Sequence, residues 1–170
     1  MNDLKSIFEF IRIRDQIFIV LAVLIGNFLH SFTLDVAMLT LLAFIFSLVS
    51  FTFVINNISD VKIDRLNKKS ENSITRKEIS LSFAKFLLIL FLLLSIIFAF
   101  LLPGDLFYLS LILILISLTY SFFIKAKSRP PLDLIYHGLS PAIVFIMISS
   151  FYVQFDLAIL FSSIISCSFW

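Results

Sequence analysis

The chain is short of the residues that soluble enzymes are built from. Only 14% of its 170 residues are charged, against about a quarter in an ordinary soluble domain. It has one cysteine, Cys167, which excludes an intrachain disulfide framework and a cysteine-based zinc site. That thiol reads most simply as a small core residue. It has three glycines, Gly26, Gly104 and Gly138, so no glycine-rich phosphate loop can be assembled. What fills the space is apolar: 61% hydrophobic residues, 22 of them phenylalanine, and a mean hydropathy of +1.11. A disordered chain, a nucleic-acid-binding module and an ordinary soluble enzyme are excluded. The composition predicts an all-α, polytopic membrane protein.

A helix needs about 20 mostly apolar residues to cross the bilayer core. Five stretches meet that requirement: Ile17–Thr33, Val36–Ile55, Phe83–Leu102, Leu106–Ile124 and Leu134–Phe151. A sixth runs from Leu157 to Trp170. At ~1.5 Å per residue it reaches only about 21 Å, short of the ~30 Å core. No basic anchor follows it. The chain is therefore expected to be a single domain over 1–170, incomplete at its C-terminus or completed by a separately supplied half. The first residues mix both charges (Asp3, Lys5, Glu9, Arg12, Arg14, Asp15), so no cleaved signal peptide is expected.

All thirteen basic residues fall on one side. Lys5, Arg12 and Arg14 precede the first span. Lys62, Arg65, Lys68, Lys69, Arg76, Lys77 and Lys85 lie between spans two and three, and Lys125, Lys127 and Arg129 between four and five. The positive-inside rule then predicts a cytoplasmic N-terminus and cytoplasmic loops near 56–81 and 125–133. Tyr108 and Tyr152 fall at the outer boundary, Tyr120 and Tyr136 at the inner one. All four read as an aromatic belt. Asp35 and Asp156 read as solvation of external loops.

The stretch from Asn56 to Leu81 is the longest polar segment, and function concentrates in such segments. If span two continues through it as a helix, Asn56, Asp60 and Asp64 lie at about 0°, 40° and 80°, with Asn57 near 100°. Four oxygen-bearing side chains then share a face. Lys62 and Arg65 point away. Oxygen ligands alone suit Mg²⁺, which binds one or two carboxylates plus substrate phosphates. A solvated helix end is the plain alternative. The second basic loop, Lys125-Ala126-Lys127-Ser128-Arg129-Pro130-Pro131-Leu132-Asp133, places three cations beside a carboxylate in a proline-stiffened turn. Such cations can clamp a diphosphate, or serve only to set topology. Asn27, His30 and His137 are embedded polar residues, expected to face the bundle interior. His137, four residues from Asp133, could line a cytoplasm-facing cavity.

The run Asn56-Asn57-x-x-Asp60-x-x-x-Asp64-Arg65-x-Asn67-Lys68 resembles the first aspartate-rich motif, N-D-x-x-D-x-x-x-D, of the UbiA family of membrane prenyltransferases. Glu71 to Ser80 is similar to the family's K-N-P-L-x-x-G-x-I-S segment. Tyr120-Ser121, Lys125, Arg129-Pro130, Asp133 and His137-Gly138 resemble the loop after its fourth helix, notably in the archaeal and carotenoid-elongating branches. Arg12-x-Arg14 and Leu24-Ile25-Gly26 fit its first helix. The sequence departs from the pattern at Asn57, where the family has Asp, at Ser73 for Pro and at Lys77 for Gly.

The resemblance implies a nine-helix bundle, of which about six spans are present. It implies two aspartate-rich motifs holding Mg²⁺ against a prenyl diphosphate, the second lying beyond this chain. It implies transfer of the prenyl group to a lipophilic acceptor within the bilayer, with no nucleic-acid partner. Asn56, Asn57, Asp60 and Asp64 are then the metal ligands, and Asp60 and Asp64 are catalytic. Arg76, Lys125, Lys127 and Arg129 bind the diphosphate, and Asp133 assists acceptor binding or proton removal. The acceptor stays open among a quinone precursor, heme, chlorophyll, a glycerol-phosphate lipid and a carotenoid. Other readings differ in class. A CDP-alcohol phosphotransferase needs glycines that Asn56–Ser80 lacks. A non-catalytic membrane protein, or an inactive truncated remnant, would tolerate loss of Asp60 and Asp64.

Overall fold

The computed structural model describes residues 4–30, 35–66, 72–123 and 130–150. The expected sixth span, with Cys167, lies outside them. Six α-helices follow in order: α1 (Leu4–Phe10), α2 (Ile13–His30), α3 (Val36–Leu66), α4 (Leu81–Leu101), α5 (Asp105–Leu118) and α6 (Pro130–Ser150), with a π-helical turn over Thr119–Phe123 after α5. The all-α expectation is met. By length and composition α3 and α4 can each cross a bilayer, and the shorter apolar α5 follows them.

Each helix boundary has a local cause. The Asp35 carboxylate accepts a hydrogen bond from the Met38 amide at 2.8 Å, which caps α3; solvation alone had been the expected role of this residue. The Ser80 hydroxyl accepts from the Phe83 amide at 3.2 Å and starts α4. Pro103 and Gly104 then turn the chain, with Gly104 at φ +49°, a region open to glycine. Pro130 and Pro131 lie in the first turn of α6 rather than in a preceding turn. Proline is suited there, because the first amides of a helix have no intrahelical acceptor.

The core is an α3–α4 seam, the most extensive contact between any two elements. On α4, Ala84, Leu87, Phe91, Ser95 and Ala99 are buried, a three-and-four spacing that gives one stripe. On α3, Met38, Leu41, Phe44, Ile45, Leu48, Phe51 and Val54 are buried. Phe46 and Phe91 pack edge to face, 6.4 Å apart. Ser95 is fully buried, its hydroxyl donating to the Phe91 carbonyl of its own helix at 2.7 Å. With hydrophobic driving force weak between helices in lipid, small residues that allow close approach take over. The opposite face of α4 exposes Phe86, Ile89, Leu93, Ile97 and Phe100, as a lipid-facing surface does. α2 joins α3 through Gln16, whose amide donates to the Ser50 hydroxyl at 2.9 Å and to the Ile11 carbonyl at 2.7 Å.

Ser95→Leu is expected to wedge α4 off α3, at a cost of about 1–3 kcal/mol. Ser95→Ala, which removes only a bond within the helix, should stay within about 0.5 kcal/mol. Thermal unfolding of the detergent-solubilised protein reads both.

Candidate active site

α3 does not stop at Ile55. It continues to Leu66, so Asn56, Asn57, Asp60 and Asp64 ride on a regular helix as the 3.6-residue period requires. All four are partly buried, whereas Lys62 and Arg65 on the other side are exposed. The helical continuation assumed from the sequence is therefore present.

Two adjoining pockets open against this face. The larger, about 500 Å³, is lined by Arg12, Thr52, Phe53, Asn56, Asn57, Ile116, Ser117, Tyr120, Tyr136 and Ser140. The smaller, about 150 Å³, is lined by Glu9, Phe10, Arg12, Asn57, Asp60, Asp64, Asn72 and Ser73. Arg12 and Asn57 line both and form the boundary. Arg12 is built for that place: its backbone is left-handed at φ +51° in the turn between α1 and α2, and its guanidinium sits 5.0 Å from the centre of the Phe53 ring.

Each polar group has a definite partner. The Asn56 side-chain oxygen Oδ1 accepts a hydrogen bond from the Ser121 hydroxyl in the π-helical turn. The Asn57 amide donates to the Phe10 carbonyl at 2.9 Å, tying α1 to α3. Asn72 donates to the Asn57 carbonyl at 2.8 Å and to the Asp64 carboxylate at 3.0 Å. On the far wall the Tyr120 hydroxyl donates to the Asp133 carboxylate at 2.7 Å. The Tyr136 hydroxyl donates to Thr119 at 3.0 Å, and the two tyrosine rings lie 5.6 Å apart. π-helical turns recur at functional sites, and this one brings Ser121 to Asn56 on α3 and Tyr120 to Asp133 on α6.

The residues expected from sequence divide into three groups. Asn57, Asp60 and Asp64 line the smaller pocket, with Asn56 beside them in the larger. Asp133 joins the larger pocket through Tyr120. Arg76 is engaged in a brace: it donates to Glu78 at 2.7 Å and to Glu9 at 3.1 Å, linking the 72–80 loop to α1. Lys125, Lys127 and Arg129 lie outside the described residues, as do the side chains of Asn27, His30 and His137. Tyr120 and Tyr136 read as belt residues in the sequence, Asn72 carries no role there beyond its place in the Glu71–Ser80 segment, and Thr52, Phe53 and Ser117 carry no signal at all. The signal for Tyr136 was its place three residues after Asp133, on one helical face. Tyr108, 64% exposed, keeps its belt role.

The donor set can be tested against Mg²⁺. Among the described residues no three His, Cys, Asp or Glu side chains cluster. Two carboxylates and two amides do. That poor charge suits Mg²⁺, which takes one or two protein carboxylates and completes its octahedron with phosphate oxygens and water.

The brace has a pH signature. The hydrogen bond from Arg76 holds the Glu78 carboxyl below its ordinary range, and the same bond raises the guanidinium. A carboxyl lowered by folding stabilises the fold above its unfolded value and loses that contribution as pH falls through the folded value. Protection of the 72–80 amides from hydrogen exchange should thus hold at neutral pH and decline below the usual carboxylate range. Glu78→Gln should abolish that decline.

The sequence profile of the UbiA prenyltransferase family matches residues 17–170. No curated protein sequence matches the chain. Among solved structures, a UbiA homolog from Archaeoglobus fulgidus bound to DMAPP and Mg²⁺ superposes with a TM-score of 0.80 at 22% identity, over 94% of this chain and 59% of that one. A UbiA homolog from the same organism bound to GPP and Mg²⁺ gives a TM-score of 0.75 at 22% identity, over 95% and 59%. The fold is shared, and the chain spans about three fifths of the length of these solved relatives.

Proposed function

The chain belongs to the UbiA prenyltransferase family, and from that premise we propose that it takes part in Mg²⁺-dependent transfer of a prenyl group from a prenyl diphosphate to a lipophilic acceptor. One observation carries this reading. α3 sets two carboxylates in a small polar pocket whose boundary residues, Arg12 and Asn57, also line a larger pocket walled by Phe53 and Ile116. A prenyl diphosphate joins a charged head to an apolar tail, and a small polar pocket that continues into a larger one of mixed lining can take such a head with the first part of its tail. The structural relatives hold DMAPP or GPP together with Mg²⁺, which supports the substrate class.

In this reading Asp60 and Asp64 hold the cation, and Asn56 and Asn57 orient that face of α3. Bound Mg²⁺ supplies charge that offsets the negative charge developing on the departing diphosphate. Lys125, Lys127 and Arg129, in the segment between α5 and α6, bind the diphosphate. Arg76 reaches it only by leaving its brace with Glu9 and Glu78. The allylic carbon that loses diphosphate gains the acceptor's electron pair, and the acceptor's proton leaves to a base. Asp133, oriented by Tyr120, is the candidate for that base. The one-sided distribution of basic residues supports a cytoplasmic side for the N-terminus and both loops.

A non-catalytic role is the second reading, in which Asn57 in place of the family's aspartate leaves the metal-facing helix short of a carboxylate. The two separate cleanly. In membranes carrying the full-length protein, diphosphate release from geranyl diphosphate should require Mg²⁺. Asp60→Ala and Asp64→Ala should each lower it by roughly 10²-fold or more, the scale of losing one preorganised electrostatic group. Unchanged release in both variants, or no release from the parent, favours the non-catalytic role.

A further inference from the structure

Asn72 falls within the Glu71–Ser80 segment but is given no site role by the sequence, yet it is 5% exposed and fully engaged. One N–H of its side-chain amide meets the Asn57 carbonyl at 2.8 Å and the other meets the Asp64 carboxylate at 3.0 Å. Its own carbonyl oxygen accepts from the Ile74 amide at 3.0 Å. The amide cannot be turned over. A flipped side chain would set its oxygen against a carbonyl and a carboxylate, both acceptors, and its NH₂ against an N–H.

The platform behind Asn72 is rigid as well. Ile74 and Ile79 are buried, and the Ser73 carbonyl accepts from the amides of both Glu78 and Ile79. Lys77 sits at φ +62° to close this turn. The Arg76 brace fixes the loop to α1. The Asp64 carboxylate is thus held by a buried amide on a fixed loop.

We propose that Asn72 is a positioning residue for Asp64, holding its carboxylate so that a single oxygen faces a divalent cation. This rests on the reading of Asp64 as a metal ligand given above. The bond from Asn72 occupies Oδ2, which leaves Oδ1 as the favoured ligand atom. One-oxygen ligation suits the strict octahedron of Mg²⁺, whereas Ca²⁺ readily takes both oxygens of a carboxylate. Asn72 therefore acts on selectivity as well as affinity. Groups that orient a ligand in this way commonly govern metal affinity by 10- to 100-fold.

The test uses the full-length protein in nanodiscs, with Mn²⁺ and inorganic diphosphate as probe. Bound Mn²⁺ is read by electron paramagnetic resonance, and Mg²⁺ and Ca²⁺ compete for it. Asn72→Leu, close in volume, should weaken Mg²⁺ competition about tenfold or more and Ca²⁺ competition less. Asn72→Asp keeps the shape and the acceptor for Ile74 but has no N–H to give. It should also lower the ratio of Mg²⁺ to Ca²⁺ affinity. In an Asp64→Ala background Asn72→Leu should have no further effect. An unchanged ratio in both Asn72 variants overturns the proposal, as does an undiminished effect without Asp64. If Asp64→Ala itself leaves Mn²⁺ binding intact, the ligand reading of Asp64 fails instead.

Discussion

The structure depends on one helix being longer than the membrane is thick. α3 has 31 residues, about 46 Å at 1.5 Å per residue, against a hydrocarbon core of ~30 Å. Its apolar part can be buried in the bundle while its last turns stand clear as a rigid arm. A helix satisfies its own backbone hydrogen bonds, so it can leave the bilayer without exposing unpaired groups in lipid. Its rotation is fixed where the Thr52 hydroxyl meets Ser117 of α5 and the Asn57 side chain meets the Phe10 carbonyl of α1, and the direction of Asn56, Asp60 and Asp64 follows from the same helical register.

The overhanging arm would be mobile if left bare, and two braces hold it. α1 attaches through the Asn57 bond to the Phe10 carbonyl. The 72–80 loop attaches through Asn72 and is fixed to α1 by Arg76 and Glu9. Asn57 is instructive here. The family resemblance implies an aspartate at this position, but a carboxylate could not donate to Phe10. The amide exchanges a charge in the smaller pocket for a structural tie. Lys77 makes a similar exchange. It stands where the resemblance implies glycine, and it adopts the left-handed backbone that explains glycine there.

Much of this was legible in the chain because it is periodic. Apolar length gives the spans, and three-and-four spacing gives the α4 stripe. The same period continued past Ile55 puts two amides and two carboxylates on one face. Features set by contacts distant in sequence were not legible. Tyr120 and Tyr136 look like belt residues until Asp133 and Thr119 are found beside them. The π-helical turn has no periodic signature and rests on Ser121 meeting Asn56, 65 residues earlier. Arg76 reads as a free cation until Glu9, 67 residues away, is placed against it.

The distribution of charge around the arm follows from these contacts. Arg76 is shared between two carboxylates, so the brace as a whole is anionic rather than cationic. Asp60 and Asp64 add two further negative charges in the smaller pocket. Arg12 is the cation that lines both pockets, and its ion pair with Asp15, at 3.9 Å with both side chains more than half exposed, is of the kind that contributes little. The face of α3 is thus net negative and in want of positive charge. A divalent cation meets that want in part, and the phosphate groups it brings are anionic in turn. Balance then calls for basic residues approaching from another direction. In sequence such residues fall between α5 and α6, as Lys125, Lys127 and Arg129. Under the proposed reading, the carboxylate arm holds the metal and the basic connection supplies the charge that meets the diphosphate.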